Sequence, residues 1–153
     1  MLNIYCDGAC RGNPGDSGSG IAVFRDQRLL LSISGDFENG TNNTAELKAF
    51  LKALSIAKTK NETATIFTDS KYTINSVTVW GYSWKKNNWK KKKGDILNLE
   101  LIKLAHELYE EIKDFVSVEY VKGHSGDIGN DSADKCANLA IDLKCTSWTK
   151  VEI

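Results

Sequence analysis

Apolar and polar positions along the chain predict an alternation of strands and helices. Leu2 to Cys6 reads as a first strand, followed by a loop rich in Gly, Asn and Pro that Gly18, Ser19 and Gly20 close. Ile21 to Arg25 and Arg28 to Ser34 are two further strands. The short Asp26-Gln27 link makes them an antiparallel hairpin. Asn39 to Asn43 is a polar loop. From Asn43, the stripe Leu47, Phe50, Leu51 and Leu54 predicts a helix ending near Lys58. Ala64 to Thr68 is a fourth strand with Asp69 at its end, and Ser70 is placed to cap a helix carrying Tyr72, Ile74 and Val77. Gly81 weakens that helix, and a Trp-Lys segment follows. Ile96 to Phe115 carries Leu97, Leu101, Leu104, Leu108 and Ile112 at helical spacing. Val116 to Val121 is a fifth strand, Gly123 to Gly129 a loop, and a last helix starts near Asn130 with Ala133, Cys136, Ala137, Ala140 and Ile141 on one face.

This order predicts an α/β fold: one five-stranded mixed sheet, first three strands antiparallel, with a right-handed crossover and helices on both faces. The 153 residues suit one domain, 1–143, with a basic protrusion at about 81–94 and a tail, 144–153, that shows no clear period. No repeat, linker or interface stripe stands out, so a monomer is expected.

Composition narrows the class. No apolar run is long enough to span a bilayer, and Met1 to Asp7 lacks the features of a secretory signal. Cys6, Cys10, Cys136 and Cys145 fit no zinc spacing and read as free thiols, so a cytoplasmic protein is expected. The 20 basic and 20 acidic residues cancel, but unevenly. Six lysines fall between Lys85 and Lys93 with no acid among them, which leaves the rest of the chain at a net charge of minus six. A basic block on an acidic protein points to a polyanion gripped at one place. Trp84 and Trp89, interleaved with Lys85, Lys86 and Lys90, strengthen that reading over a merely solvated loop.

Four acids occupy comparable places. Asp7 and Asp69 follow strands, while Glu46 and Asp134 fall in early turns of helices. Each has a structural reading beside the chemical one. Asp7 can start an Asx turn into Gly8. Asn43 with Glu46, and Asp131 with Asp134, have capping-box spacing, and Asp69-Ser70 can simply begin a helix. As a set they gather where open α/β sheets place functional groups. Four converging carboxylates need cations, and hard divalent ions, Mg2+ first, suit oxygen ligands. Two ions roughly 4 Å apart can support in-line phosphoryl displacement.

Five segments then resemble one family: Cys6 to Gly15, Thr41 to Leu47, Thr68 to Tyr72, Trp84 to Lys90, and Val121 to Gly126 followed by Asn130 and Asp134. In order and spacing they are similar to type 1 ribonuclease H, of the bacterial ribonuclease HI kind. The resemblance reaches to about Asp142. It implies endonucleolytic cleavage of the RNA strand of RNA–DNA hybrids, leaving 3′-hydroxyl and 5′-phosphate ends. It implies metal binding by Asp7, Glu46, Asp69 and Asp134, with two Mg2+ ions for which Mn2+ can substitute, and a loop histidine, His124, that assists proton transfer or product departure.

Substrate contacts follow from the same resemblance. Asn13, Asn42 and Asn43, with backbone near Gly8 and Cys10, line the minor groove where 2′-hydroxyls lie. Thr41 grips a DNA-strand phosphate. Lys85, Lys86, Trp89 and Lys90 belong to the basic protrusion, and Trp80 and Trp84 either pack on DNA sugars or anchor it. Lys71 stands where many members have Gln, and Thr44 and Ala45 replace bulkier residues. The rival readings are a non-catalytic hybrid-binding module and another nuclease of the same fold, such as a junction resolvase or transposase core.

Overall fold

In the computed structural model, which describes residues 1–91 and 94–153, the first strand is longer than its apolar run. β1 (Leu2–Arg11) pairs antiparallel with β2 (Gly15–Arg25) from Leu2↔Arg25 to Arg11↔Asp16. Asp7 therefore lies inside a strand and not at its end. The Gly- and Ser-rich stretch that reads as a loop forms ladder instead, because backbone pairing needs no side chain. β2 continues through Asp26 and Gln27, both at positive φ, into β3 (Arg28–Gly40). Two such residues are what a tight hairpin demands. The polar loop expected at Asn39 to Asn43 shrinks to Thr41, since β3 runs on to Gly40.

α1 (Asn42–Lys60) leads to β4 (Ala64–Thr68), and β5 (Val116–Tyr120) adds outside it. β4 pairs parallel with both β1 and β5. Between β4 and β5, α2 (Lys71–Ile74) widens into a π-helical turn at Asn75–Trp80 and continues as α3 (Gly81–Lys86), so Gly81 does not end the helix. α4 (Leu99–Ile112) follows, and α5 (Ile128–Asp142) closes the chain's main body. Lys92 and Lys93 of the basic block lie outside the described residues.

Two expectations are corrected here. α4 begins at Leu99 and not Ile96, and Leu97 and Leu104 are exposed; the buried face is Ile102, Ala105, His106 and Ile112. Leucine spacing picked a neighbouring stripe because a buried histidine does not register as apolar. The tail is also ordered: β6 (Thr149–Lys150) pairs with β3, and Trp148 lies against Gly35. Among the described residues the sheet therefore has six strands, in the order β5-β4-β1-β2-β3-β6. A two-residue strand held mainly through backbone pairing has too little pattern to be seen in sequence.

Helices cover both faces, as strand alternation requires. Leu2, Ile4 and Cys6 are fully buried on the α1 side with Leu47, Phe50 and Leu54. Each such side chain contributes about 1.5–3 kcal/mol when removed from water. On the other face α5 sits close against β2. Ser34 Oγ donates to Cys136 O at 2.6 Å, and the expected stripe Ala133, Cys136, Ala137, Ala140 and Ile141 is buried throughout. Gly20 makes this approach possible: a Cβ there would lie 2.3 Å from Ala137 N and 2.4 Å from Ala133 O. Gly20→Ala is expected to cost about 1–3 kcal/mol by overpacking. A urea titration monitored by far-UV circular dichroism measures it, and an unchanged midpoint would contradict the tight seam.

Candidate active site

Asp7 pairs across the ladder with Gly20 and so points to the α5 side, two residues beyond the last β1–β4 pair, Tyr5↔Phe67. Its neighbour Gly8 faces α1. A Cβ on Gly8 would lie 2.5 Å from Glu46 N, so glycine lets the first turns of α1 press on the strand. The Gly8 N–H donates to Asp7 Oδ1 and to Glu46 Oε1, both at 2.9 Å. One backbone donor thus holds two carboxylates.

Glu46 is free to do this because it is not a cap. Thr41 caps α1 and forms its capping box with Thr44, in place of the Asn43–Glu46 pairing that the spacing allows. Asp69 is released in the same way: Ser70 is the N-cap of α2 and accepts from Thr73 N at 3.1 Å. Asp7, Glu46 and Asp69 each offer one carboxylate oxygen within 4.8 Å of the others. Asp134 stands outside this group, half-buried on α5, yet its charge helps push the Asp7 and Glu46 carboxyls up. The cap of α5 is Asp127, not Asp131, which leaves Asp134 free as well. Asn138, one turn later, reaches Asp134 Oδ1 through Nδ2 at 3.4 Å, a contact that the i, i+4 spacing could have revealed.

Burial is the main reason both Asp7 and Glu46 sit above the ordinary carboxylate range, and the neighbouring negative charges add to it. Glu46 Oε2 is buried with no hydrogen-bond partner. An orphaned anionic oxygen among oxygen donors suits a hard cation, and the residues present fit one.

The remaining expected residues are spread around this centre. His124 is exposed at φ 55° on its turn and does not enter the cluster. Gly123 beside it does approach: a Cβ there would lie 2.7 Å from Asp69 Oδ2. Close approach to Asp69, and not only loop freedom, therefore calls for that glycine. Asn13 Oδ1 accepts from Asn42 N at 3.1 Å, and Cys10 Sγ donates to Gly12 O at 2.6 Å, which ties the β1–β2 turn to the start of α1. Asn43 is exposed, and Thr41 is engaged in capping. Lys71 Nζ lies 5.0 Å above the Tyr120 ring. Lys86 and Lys90 are exposed, while Lys85 pairs with Glu110 at 2.8 Å. Trp84 and Trp89 are not the exposed aromatics that the sequence suggests; both pack against the hydrophobic core, and Trp80 stays 43% exposed with its ring 5.8 Å from Trp84. The four cysteines are free. No helix among the described residues is long and apolar enough to cross a membrane.

The family model for RNase H matches residues 1–142. The chain belongs to the ribonuclease H family. Ribonuclease H of Ruthia magnifica is 42% identical over 141 residues, covering 91% of this chain and 94% of that protein. The fold is shared with LC9-RNase H1, a type 1 RNase H with the type 2 active-site motif, at 25% identity and a TM-score of 0.81, covering 98% of this chain and 77% of that one. LC11-RNase H1, solved in complex with RNA/DNA hybrid, has the same fold at 24% identity and a TM-score of 0.67, covering 94% and 99%. As a ribonuclease H the chain is an endoribonuclease, a hydrolase acting on RNA–DNA hybrids.

The ribonuclease H cluster has a consequence for stability. A raised native pKa means that the folded protein keeps protons which the unfolded chain has released. The Asp7–Glu46 pair therefore makes the metal-free protein less stable as pH rises above about 4, the unfolded carboxylate value. Asp7→Asn removes the repulsion and is expected to stabilise the chelated protein at neutral pH by roughly 1–3 kcal/mol. Thermal melts in EDTA test this; a lower melting temperature for the variant would contradict it.

Proposed function

We propose that Asp7, Glu46, Asp69 and Asp134 hold two Mg2+ ions and that the protein cuts the RNA strand of a hybrid to leave 3′-hydroxyl and 5′-phosphate ends. The observation that carries this reading is the close Asp7–Glu46–Asp69 cluster with its buried, unpartnered Glu46 oxygen. When bound, such ions activate a water and neutralise charge at the leaving oxygen of an in-line displacement; Mn2+ substitutes for Mg2+ on the same donors.

The chain's own residues do the rest. Gly8 N–H fixes the orientation of two carboxylates before substrate arrives, so little reorganisation is left for the reaction. Asp134, half-buried and apart from the tight cluster, supplies an acid from the α5 side. His124, exposed on the turn whose Gly123 abuts Asp69, assists proton transfer or product departure.

Substrate choice rests on the polar rim. Asn13, Asn42 and Asn43, with the backbone at Gly8 and Cys10, address the 2′-hydroxyls of the RNA strand in the wide minor groove. Thr41 and Lys71 contact the backbone nearby. Lys85, Lys86 and Lys90, with Trp80 beside them, meet the phosphates and sugars of the DNA strand, while Trp84 and Trp89 anchor that segment. LC11-RNase H1, a protein of the same fold solved in complex with RNA/DNA hybrid, supports a hybrid as the ligand. The free thiols suit a reducing compartment, the cytoplasm, and a single copy carries every residue named.

The test is a hybrid labelled on its RNA strand, incubated with Mg2+ or EDTA beside single-stranded RNA and double-stranded DNA. Metal-dependent cutting of only the hybrid's RNA is expected, and Asp7→Asn should lower the rate by more than about 100-fold, some 2.7 kcal/mol of barrier. Undiminished cutting by Asp7→Asn, with Mg2+ present, would sink the assignment.

A further inference from the structure

His106 is a fully buried ionisable side chain that takes no part in the carboxylate cluster. It projects from α4 into the segment that carries the lysines. Nδ1 lies 2.7 Å from Val77 O, in the π-helical turn. A carbonyl only accepts, so Nδ1 carries the proton and donates it. Nε2 lies 3.0 Å from Glu110 Oε1, and the same oxygen receives Lys85 Nζ at 2.8 Å. The ring meets Tyr82 edge-on at 4.6 Å and Trp89 at 5.7 Å. Gly81 passes so close that a Cβ would lie 2.5 Å from Nδ1. One imidazole thus touches the wide turn, α3 and the chain beyond it, and Glu110, one turn on along α4, holds a lysine of the basic block.

We propose that His106 is a positioning residue for nucleic-acid binding, setting the basic segment in register on α4 so that its lysines face the phosphates. The inference rests on the reading above that this segment grips the hybrid. A leucine would fill the same space, but it would leave Val77 O without this donor. Packing alone does not call for a histidine that touches so much of the segment. The wide turn adds to the argument, because a π-helical turn interrupts the regular helical ladder and here presents a carbonyl to a side chain from another helix.

The experiment measures anisotropy of a fluorescently labelled RNA–DNA hybrid across a salt series for wild type, His106→Leu, His106→Asn and Gly81→Ala, together with steady-state cleavage in Mg2+. His106→Leu is expected to weaken binding roughly 5- to 10-fold. The slope of log K against log salt should flatten by about one phosphate contact, roughly 0.7–0.9. KM should rise in step with Kd while kcat at saturating hybrid holds. Gly81→Ala, which crowds Nδ1 of the ring, should do the same. His106→Asn, which retains an N–H for Val77 O, should recover part of the loss. If His106→Leu does not fold, Gly81→Ala and His106→Asn decide. Variants that bind with wild-type affinity and slope, or that change only kcat or melting temperature, overturn the proposal and make His106 a core residue. A wild type that cuts the hybrid while the variants bind normally defeats this inference alone; a wild type that neither binds nor cuts defeats the function as well.

Discussion

The crowding of three carboxyl groups, two of them buried, is the constraint around which the rest of the structure is arranged. Asp7, Glu46 and Asp69 keep an oxygen each within 4.8 Å of the others, two of them out of water. Such a group would spread if the chain allowed it, and held together it keeps protons that exposed carboxyls release. It is held because Asp7 lies in β1, Glu46 in α1 and Asp69 directly after β4, and because the local caps are supplied by other residues. Thr41 and Thr44 close the start of α1, Ser70 that of α2, and Asp127 that of α5. Glu46 and Asp69 are thereby left free for the cluster, and Asp134 is left free beside it.

Closeness on this scale requires two seams without side chains. Gly8 admits α1 from one face of the sheet, and Gly20 admits α5 from the other. These two glycines lie near Asp7, which is where β1 must receive helices on both sides at once. The core then does ordinary work: Leu2, Ile4 and Cys6 against α1, and a small-residue stripe of α5 against β2. Stability from those contacts offsets what the carboxylates lose by burial, and that permits a strained centre to persist.

Much of this was legible in the sequence, and the exceptions share a cause. Strand order, the Asp26-Gln27 hairpin, the Ser70 cap and the α5 stripe are local patterns, and local patterns survive reading one residue at a time. The extent of β1 and β2 did not survive it, because Gly15 to Gly20 pair through backbone while their composition reads as loop. Glu46 looked like a cap because capping spacing fits two overlapping pairs, and only packing chooses between them. The α4 face was misplaced by a histidine that behaves as core, and β6 by being two residues long. Asp134 carries the same lesson for the site. Its residue type and place on the chain were readable, but its separation from the tight cluster is a fact of tertiary geometry.

The division of charge explains why the basic segment needs a rigid mount. Net charge is zero, so the molecule as a whole gives a polyanion no long-range attraction, and the buried acids repel phosphates locally. Attraction must come from lysines at a distance from the acids, and it helps the reaction only if both regions address one duplex in a fixed register. Lysine side chains are long and carry about 2 kcal/mol of rotamer entropy each, so the precision has to reside in the backbone beneath them. Here that backbone is pinned from inside, by Trp84 and Trp89 on the core and by the His106 Nδ1 bond to the wide turn. Lys85 shows the balance involved. Its pairing with Glu110 is half-exposed and weak, so a phosphate can replace the carboxylate while the mount beneath stays in place.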